Sequence, residues 1–135
     1  MKSKTTVSTK PLSEVITQES FKQDGTIESR YITTKTYDKQ GKLVLDVRES
    51  DYNGDGEIGF KDSTSNTYDK NGNLTLTVDE ADDNGDGKID RKYSTKNTYD
   101  KNGKLTLTVL ESDFNGDSVI DRKFSTKNTD RKSVV

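Results

Sequence analysis

Apolar and polar positions follow one another in a fixed order along most of the chain. Leu74-Thr75-Leu76-Thr77-Val78 alternates strictly with period two, and related runs begin at Leu43 and Leu105. This alternation predicts a half-buried strand with Leu74, Leu76 and Val78 on one face and the threonines on a wet face. A less regular stretch from Ile89 through Tyr93 to Thr98 predicts a second strand, with Ile89, Tyr93 and Tyr99 sharing a face. No window of useful length carries a helical period. Between one unit and the next stands Tyr37-Asp38-Lys39-Gln40-Gly41, Tyr68-Asp69-Lys70-Asn71-Gly72 or Tyr99-Asp100-Lys101-Asn102-Gly103. Asp at the start and Gly at the end fit a type I turn closed by a glycine bulge.

Between the two strands lies an Asp-rich loop, which recurs with starts at 20, 51, 82 and 113, a period of 31 residues. The chain divides into a flexible lead (1–10), a degenerate first repeat (11–36), three repeats (37–67, 68–98 and 99–129) and a tail (130–135). The second and third full repeats are identical at 24 of 31 positions. Strand, loop, strand and turn, with both connections short, predict an all-β fold. Short connections favour antiparallel neighbours, hence a β-hairpin array, or meander, of 31-residue units with every Asp-rich loop at one end. The alternative is a parallel β-solenoid with one coil per unit. It would stack equivalent loops at one strand spacing, ~4.8 Å, where neighbouring cations would have to share ligands. Each full loop carries its own acidic set, which favours the meander.

Composition narrows the function classes. Only 26% of the 135 residues are hydrophobic and 34% are charged, too little apolar material for a large globular core. The sheet face that carries the leucines therefore offers a surface for self-association, since a single sheet cannot hide it alone. Net charge is −2, with no basic stripe to engage nucleic acid and no apolar run to insert into a membrane. Without Cys or His there is no disulfide framework, no thiolate chemistry and no usual zinc ligand. The first residues have no apolar segment of a signal peptide, so an exported chain would carry its signal upstream.

The loops carry the candidate chemistry. In Asp82-Asp83-Asn84-Gly85-Asp86-Gly87-Lys88-Ile89-Asp90, oxygen-bearing side chains stand at positions one, three, five and nine. Gly87 holds position six, where a tight calcium loop turns sharply. Calcium is a hard cation that takes six to eight oxygens. Asp82, Asn84, Asp86 and Asp90 would give side-chain oxygens and Lys88 its backbone carbonyl, with Ile89 anchoring the loop to the strand that follows. The third loop repeats the set with Asp113, Asn115, Asp117, the Val119 carbonyl and Asp121, but Ser118 replaces the glycine and strains or alters the turn. The first loop offers Asp51, Asn53, Asp55 and the Glu57 carbonyl. Gly59 stands at its ninth position, and Asp62, at the twelfth, would substitute directly or through water. In the degenerate loop Ser20–Glu28, Lys22 occupies a ligand position, and no ion is expected there.

The pattern Asp-x-Asn-x-Asp-Gly-x-Ile-Asp resembles EF-hand-like calcium loops found outside true EF-hands, most closely the β-hairpin loops of integrin-type propeller repeats. True EF-hands end in Glu at position twelve between helices, whereas Tyr93 and Phe124 hold that position here. Tyr68-Asp69-x-x-Gly72-x-Leu74 resembles the YD repeats of large bacterial surface and secreted proteins. Together the resemblances imply a calcium-binding β-repeat segment of an extracellular protein, with no named activity. The expected function is a structural module stabilised by Ca2+; the alternative is a calcium-dependent binding or adhesion module for a glycan, a surface or a protein. An enzyme is not expected, because metal spacing already accounts for the acids.

Overall fold

The computed structural model describes residues 2–10, with side chains as far as residue 7, and residues 12–129. Met1, Pro11 and the expected tail 130–135 lie outside the described residues. The chain forms β1 (Lys2–Lys10), β2 (Ser13–Phe21), β3 (Ile27–Tyr37), β4 (Leu43–Asp51), β5 (Phe60–Tyr68), β6 (Leu74–Asp82), β7 (Arg91–Tyr99), β8 (Leu105–Asp113) and β9 (Arg122–Lys127). They lie side by side in sequence order in one sheet, every pair antiparallel. The fold is thus an open meander and not a solenoid.

The residues expected to be a flexible lead instead form β1. Lys2–Lys10 pairs along its whole length with β2, from Lys2 opposite Phe21 to Lys10 opposite Ser13. The run lacks an apolar pattern, but an edge strand needs only a ladder to join, and Lys and Thr on an exposed edge also discourage pairing with other chains.

The turns at one end close as their sequence requires. The Gly72 amide donates to the Asp69 carbonyl at 3.0 Å, the Asp69 amide donates to the Asn73 carbonyl at 2.9 Å, and Gly72 sits at φ +84°. The ladder shifts register between Thr67 and Tyr68, as it does between Thr36 and Tyr37 and between Thr98 and Tyr99. Asp69 Oδ1 accepts the Asn71 and Asn73 amides, so the side chain organises its own turn. In two of the three turns the opening tyrosine is a cap. Tyr68 and Tyr99 donate their hydroxyls to the Leu43 and Leu74 carbonyls at 2.9 and 2.8 Å. Lys42 reaches from one turn to the Gly72 carbonyl of the next and lies over the Tyr68 ring.

The expected division into one core face and one wet face is not what the sheet shows. Leu74, Thr75, Leu76, Thr77 and Val78 are all half-buried, and Ala81 is the one buried hydrophobic residue among those described. The reason is the single layer. Strands rich in Leu and Val (β4, β6, β8) alternate with strands of Ser, Thr and Lys, so the mid-strand apolar side chains are flanked mostly by short polar or long aliphatic neighbours, while Leu43, Leu74 and Leu105 at the turn end stand opposite Tyr37, Tyr68 and Tyr99. Val78, for example, stands between Ser65 and Ser94, and Leu76 between Thr67 and Lys96. Cross-strand neighbours on one face shield each other in this way, and Lys contributes its methylene stem. Toward the loop end the same face carries one ion pair per repeat, Glu49–Lys61, Glu80–Lys92 and Glu111–Lys123, at 3.2, 2.9 and 2.8 Å. Each contributes at most about 1 kcal/mol, because the lysines are half exposed.

Candidate metal loops

All four Asp-side connections lie at one end of the sheet, opposite the tyrosine turns. The three full loops are built around the aspartate that ends the preceding strand. Asp51, Asp82 and Asp113 are only 2%, 5% and 3% exposed and, with Ser50, are the buried polar residues among those described. In a sheet with so small a core, the most enclosed side chains are acids.

Backbone amides make that burial tolerable. Asp82 Oδ1 accepts N–H groups from Asn84, Gly85 and Asp86, and Oδ2 accepts that of Gly87 at 2.8 Å. Asp113 is wrapped in the same way by Asn115, Gly116 and Ser118, and Asp51 by Gly54 and Gly56. Further along, Asn84 Oδ1 accepts the Asp86 amide, Asp86 Oδ1 accepts the Lys88 amide, and Asp90 Oδ2 accepts the Asp83 amide at 2.8 Å. The third loop repeats these bonds through Asn115, Asp117 and Asp121. In the first loop Asn53 accepts the Asp55 amide and also donates to Asp55 Oδ2, and Asp55 accepts the Glu57 amide. With Gly59 at its ninth position, that loop has no counterpart of the Asp90 bond.

Each loop is a ring of oxygen donors curled on its own amides. The donor chemistry fits a hard cation, as all the side-chain candidates are oxygen. The side chains are not drawn together, however: among the described residues no three His, Cys, Asp or Glu side chains gather as a metal-holding group. Carboxylate oxygens are turned onto amide hydrogens instead. Asp62 is not brought to the first loop. It lies opposite Arg48 in the ladder, on the sheet face opposite that of the Asp51 strand position, and pairs with Arg48 Nε at 3.2 Å. The Asp62 Oδ1 in that pair has no aligned hydrogen bond, so the contact is one of charge alone. Ile89, expected to anchor the loop, stands in the loop before β7 begins and is 40% exposed. The degenerate loop is a different object, a tight turn in which the Gly25 amide donates to the Lys22 carbonyl and Asp24 binds Thr26.

Position six behaves as its residues predict. Gly56 and Gly87 have φ of +91° and +86°, and Ser118 is forced to +68°. Sequence reasoning missed position four. Gly54, Gly85 and Gly116 also have positive φ, and each faces the carbonyl of Ile27, Ile58 or Ile89 in the preceding loop so closely that a Cβ would overlap it. The loops therefore stack in a row, each seated on the one before. The signal was the Asn-Gly pair present in all three full loops, a combination that ordinary hairpin turns also use.

A second missed feature is aromatic. Tyr52 and Phe114, at position two of their loops, form edge-on pairs with Tyr31 and Tyr93, at centroid distances of 6.1 and 6.0 Å. In the middle loop Asp83 takes the place of the aromatic and binds Arg91 through two contacts of 2.6 and 2.7 Å. The Arg91 guanidinium holds the Asp83 carboxyl below the ordinary aspartate value.

Two consequences are measurable. Asp51→Ala strands two loop amides and should destabilise the metal-free protein by about 3 kcal/mol, since bonds to a charged acceptor contribute roughly 1.5–3 kcal/mol each. Urea unfolding in chelator checks this, and a loss under 1 kcal/mol would show that water replaces the carboxylate freely. The second concerns acid. Burial pushes the Asp82 and Asp113 carboxyls up, but the converging amides outweigh it and hold both below the ordinary 3.8. A depressed folded-state value means that their stabilisation is complete above 3.8 and is lost as pH falls from there through the folded values. The urea midpoint should hold steady from neutrality to about pH 5 and fall steeply below about pH 4. The variant carrying both Asp82→Asn and Asp113→Asn should show a shallower fall.

No protein-family model matches the chain, and no curated protein matches its sequence.

Proposed function

We propose that the chain is a calcium-binding structural repeat module of a secreted or cell-surface protein, in which Ca2+ stiffens one end of the sheet. The observation that supports this most is the row of stacked loops, two of which present Asp, Asn, Asp and Asp at positions one, three, five and nine. An ion at the middle loop would be held by Asp82, Asn84, Asp86 and Asp90 with the Lys88 carbonyl. At the third it would be held by Asp113, Asn115, Asp117 and Asp121 with the Val119 carbonyl. The first loop would offer Asp51, Asn53, Asp55 and the Glu57 carbonyl, a weaker set without a ninth ligand. The cation would neutralise acids that now rely on amide hydrogens, and the loop would tighten around it. Calcium suits these flexible oxygens better than magnesium, which demands compact octahedral geometry and gives up water reluctantly. Catalysis is not part of the proposal, since near-identical repeats make a poor setting for a single active site.

The exposed aromatics favour a second reading. Tyr31, Tyr52, Phe114 and Phe124 are each 44–57% exposed, and two of them sit on the loops themselves. A calcium-dependent binding or adhesion module for a glycan or a protein would use such rings beside a fixed ion.

Calorimetric titration of metal-stripped protein tests the proposal. Two or three calcium ions are expected per chain, with Asp86→Ala removing one and leaving the others. Zero ions, or equal binding of magnesium at matched concentration, would exclude the calcium reading.

A further inference from the structure

We propose that the folded chain has two preferred sites of spontaneous deamidation, Asn71 and Asn102, and that the Asp-rich loops shield three further sites of the same sequence. Asn is followed by Gly at 53, 71, 84, 102 and 115, and all five asparagines are exposed. In an Asn-Gly pair the glycine nitrogen, having given up its proton to base, attacks the Asn side-chain carbonyl carbon. A C–N bond forms, ammonia leaves, and a five-membered succinimide results. Water then opens one of its two carbonyls to give aspartate or isoaspartate. The glycine has no Cβ to obstruct the approach, so the sequence alone leaves the five sites equal.

The fold makes them unequal through what it does to the two reacting groups. In the loops both are held. The amides of Gly54, Gly85 and Gly116 donate to carboxylate oxygens of Asp51, Asp82 and Asp113 at 2.8, 2.7 and 2.8 Å. Removing a proton from a nitrogen beside a buried carboxylate would place two negative charges together, which opposes the first step. The side-chain oxygens of Asn53, Asn84 and Asn115 meanwhile accept the amides two residues on, at 3.2, 3.0 and 3.1 Å. In the turns the nucleophile's own hydrogen bond goes to a neutral backbone carbonyl, while the Asp69 carboxylate is taken up mainly by the Asn71 and Asn73 amides on either side. Gly72 and Gly103 donate to the Asp69 and Asp100 backbone carbonyls at 3.0 Å, and among the described residues the Asn71 and Asn102 side chains make no hydrogen bond.

The consequences differ between the two products. Aspartate at 71 or 102 adds a negative charge but breaks no bond among the described residues, where the amide it replaces makes none. Isoaspartate adds a methylene to the backbone inside a turn closed by the Asp69–Asn73 and Asp69–Gly72 hydrogen bonds. Charge heterogeneity should therefore arise first at the end of the sheet away from the loops.

The test is site-resolved mass spectrometry of the intact, metal-free chain aged in mildly alkaline buffer, folded and in urea. In the folded chain Asn71 and Asn102 should convert at least about tenfold faster than Asn53, Asn84 and Asn115, a barrier difference of about 1.4 kcal/mol. In urea the five rates should converge. Asp82→Asn, if it stays folded by circular dichroism, should speed conversion of Asn84 while leaving Asn115 slow; if it unfolds, the unmodified chain decides. Equal rates at the five sites in the folded chain, or faster conversion in the loops, would overturn the proposal.

Discussion

Calcium added to metal-stripped protein is expected to raise the melting temperature by roughly 15 °C. By mass action, a ligand that binds only the folded state stabilises it by about 2.7 kcal/mol per site at a hundredfold excess over Kd. Two sites give about 5 kcal/mol, and for a chain of this size each kcal/mol moves the midpoint by roughly 3–4 °C. That gain is comparable with the whole stability of a small domain. The effect should be large here because the leucine rows are only half-buried and the most enclosed side chains are carboxylates. The metal-free protein should nonetheless keep its sheet at room temperature, since the ladder and the loop amides hold it without an ion. Loop disorder in chelator should come first at the row's end, where nothing among the described residues is seated on the Ile120 carbonyl. The measurement is a pair of circular dichroism melts, one in calcium and one in chelator. Coincident curves would mean that the Asp-rich loops are ordinary turns, and the calcium reading would be lost.

Gly85→Ala should be the most damaging conservative substitution in the middle repeat, costing about 3 kcal/mol or more. Two effects combine. At φ +74° a side chain costs roughly 1–2 kcal/mol relative to glycine. The new methyl would also overlap the Ile58 carbonyl oxygen, with the Ile58 carbon and the Gly59 Cα only 3.0 Å away. Overpacking against backbone costs a further 1–3 kcal/mol, typically. The internal control is Gly87→Ala in the same loop. Gly87 has φ +86°, but its Cβ would meet open space, and Ser118 already occupies the equivalent place in the next loop. It should lose only about 1–2 kcal/mol. Urea unfolding of both variants in chelator separates the two effects without reference to metal. Equal losses would show that loop-to-loop contact contributes nothing and that φ alone matters.

The sequence by itself determined the local geometry and the order of elements. Period-two alternation in Leu74–Val78, the Tyr-Asp-x-x-Gly turns and the Gly or Ser at position six each rest on interactions within a few residues, so a 31-residue repeat displays them directly. Two short connections per unit then leave the antiparallel meander as the natural arrangement. Only the tertiary structure decided what lies between units. The row in which Gly54, Gly85 and Gly116 seat on the Ile27, Ile58 and Ile89 carbonyls depends on sheet register, which brings together residues 27 apart. The aromatic pairs Tyr31–Tyr52 and Tyr93–Phe114 join residues 21 apart and have the same origin. Register likewise set Asp62 against Arg48 and away from the first loop. The lead that looked unstructured became β1 because a strand can be ordered by its neighbour's ladder without an apolar pattern of its own. Least legible of all was the burial of Asp51, Asp82 and Asp113. Composition marks an aspartate as a surface residue, and only a loop folded so that its amides converge on one carboxylate makes enclosure tolerable.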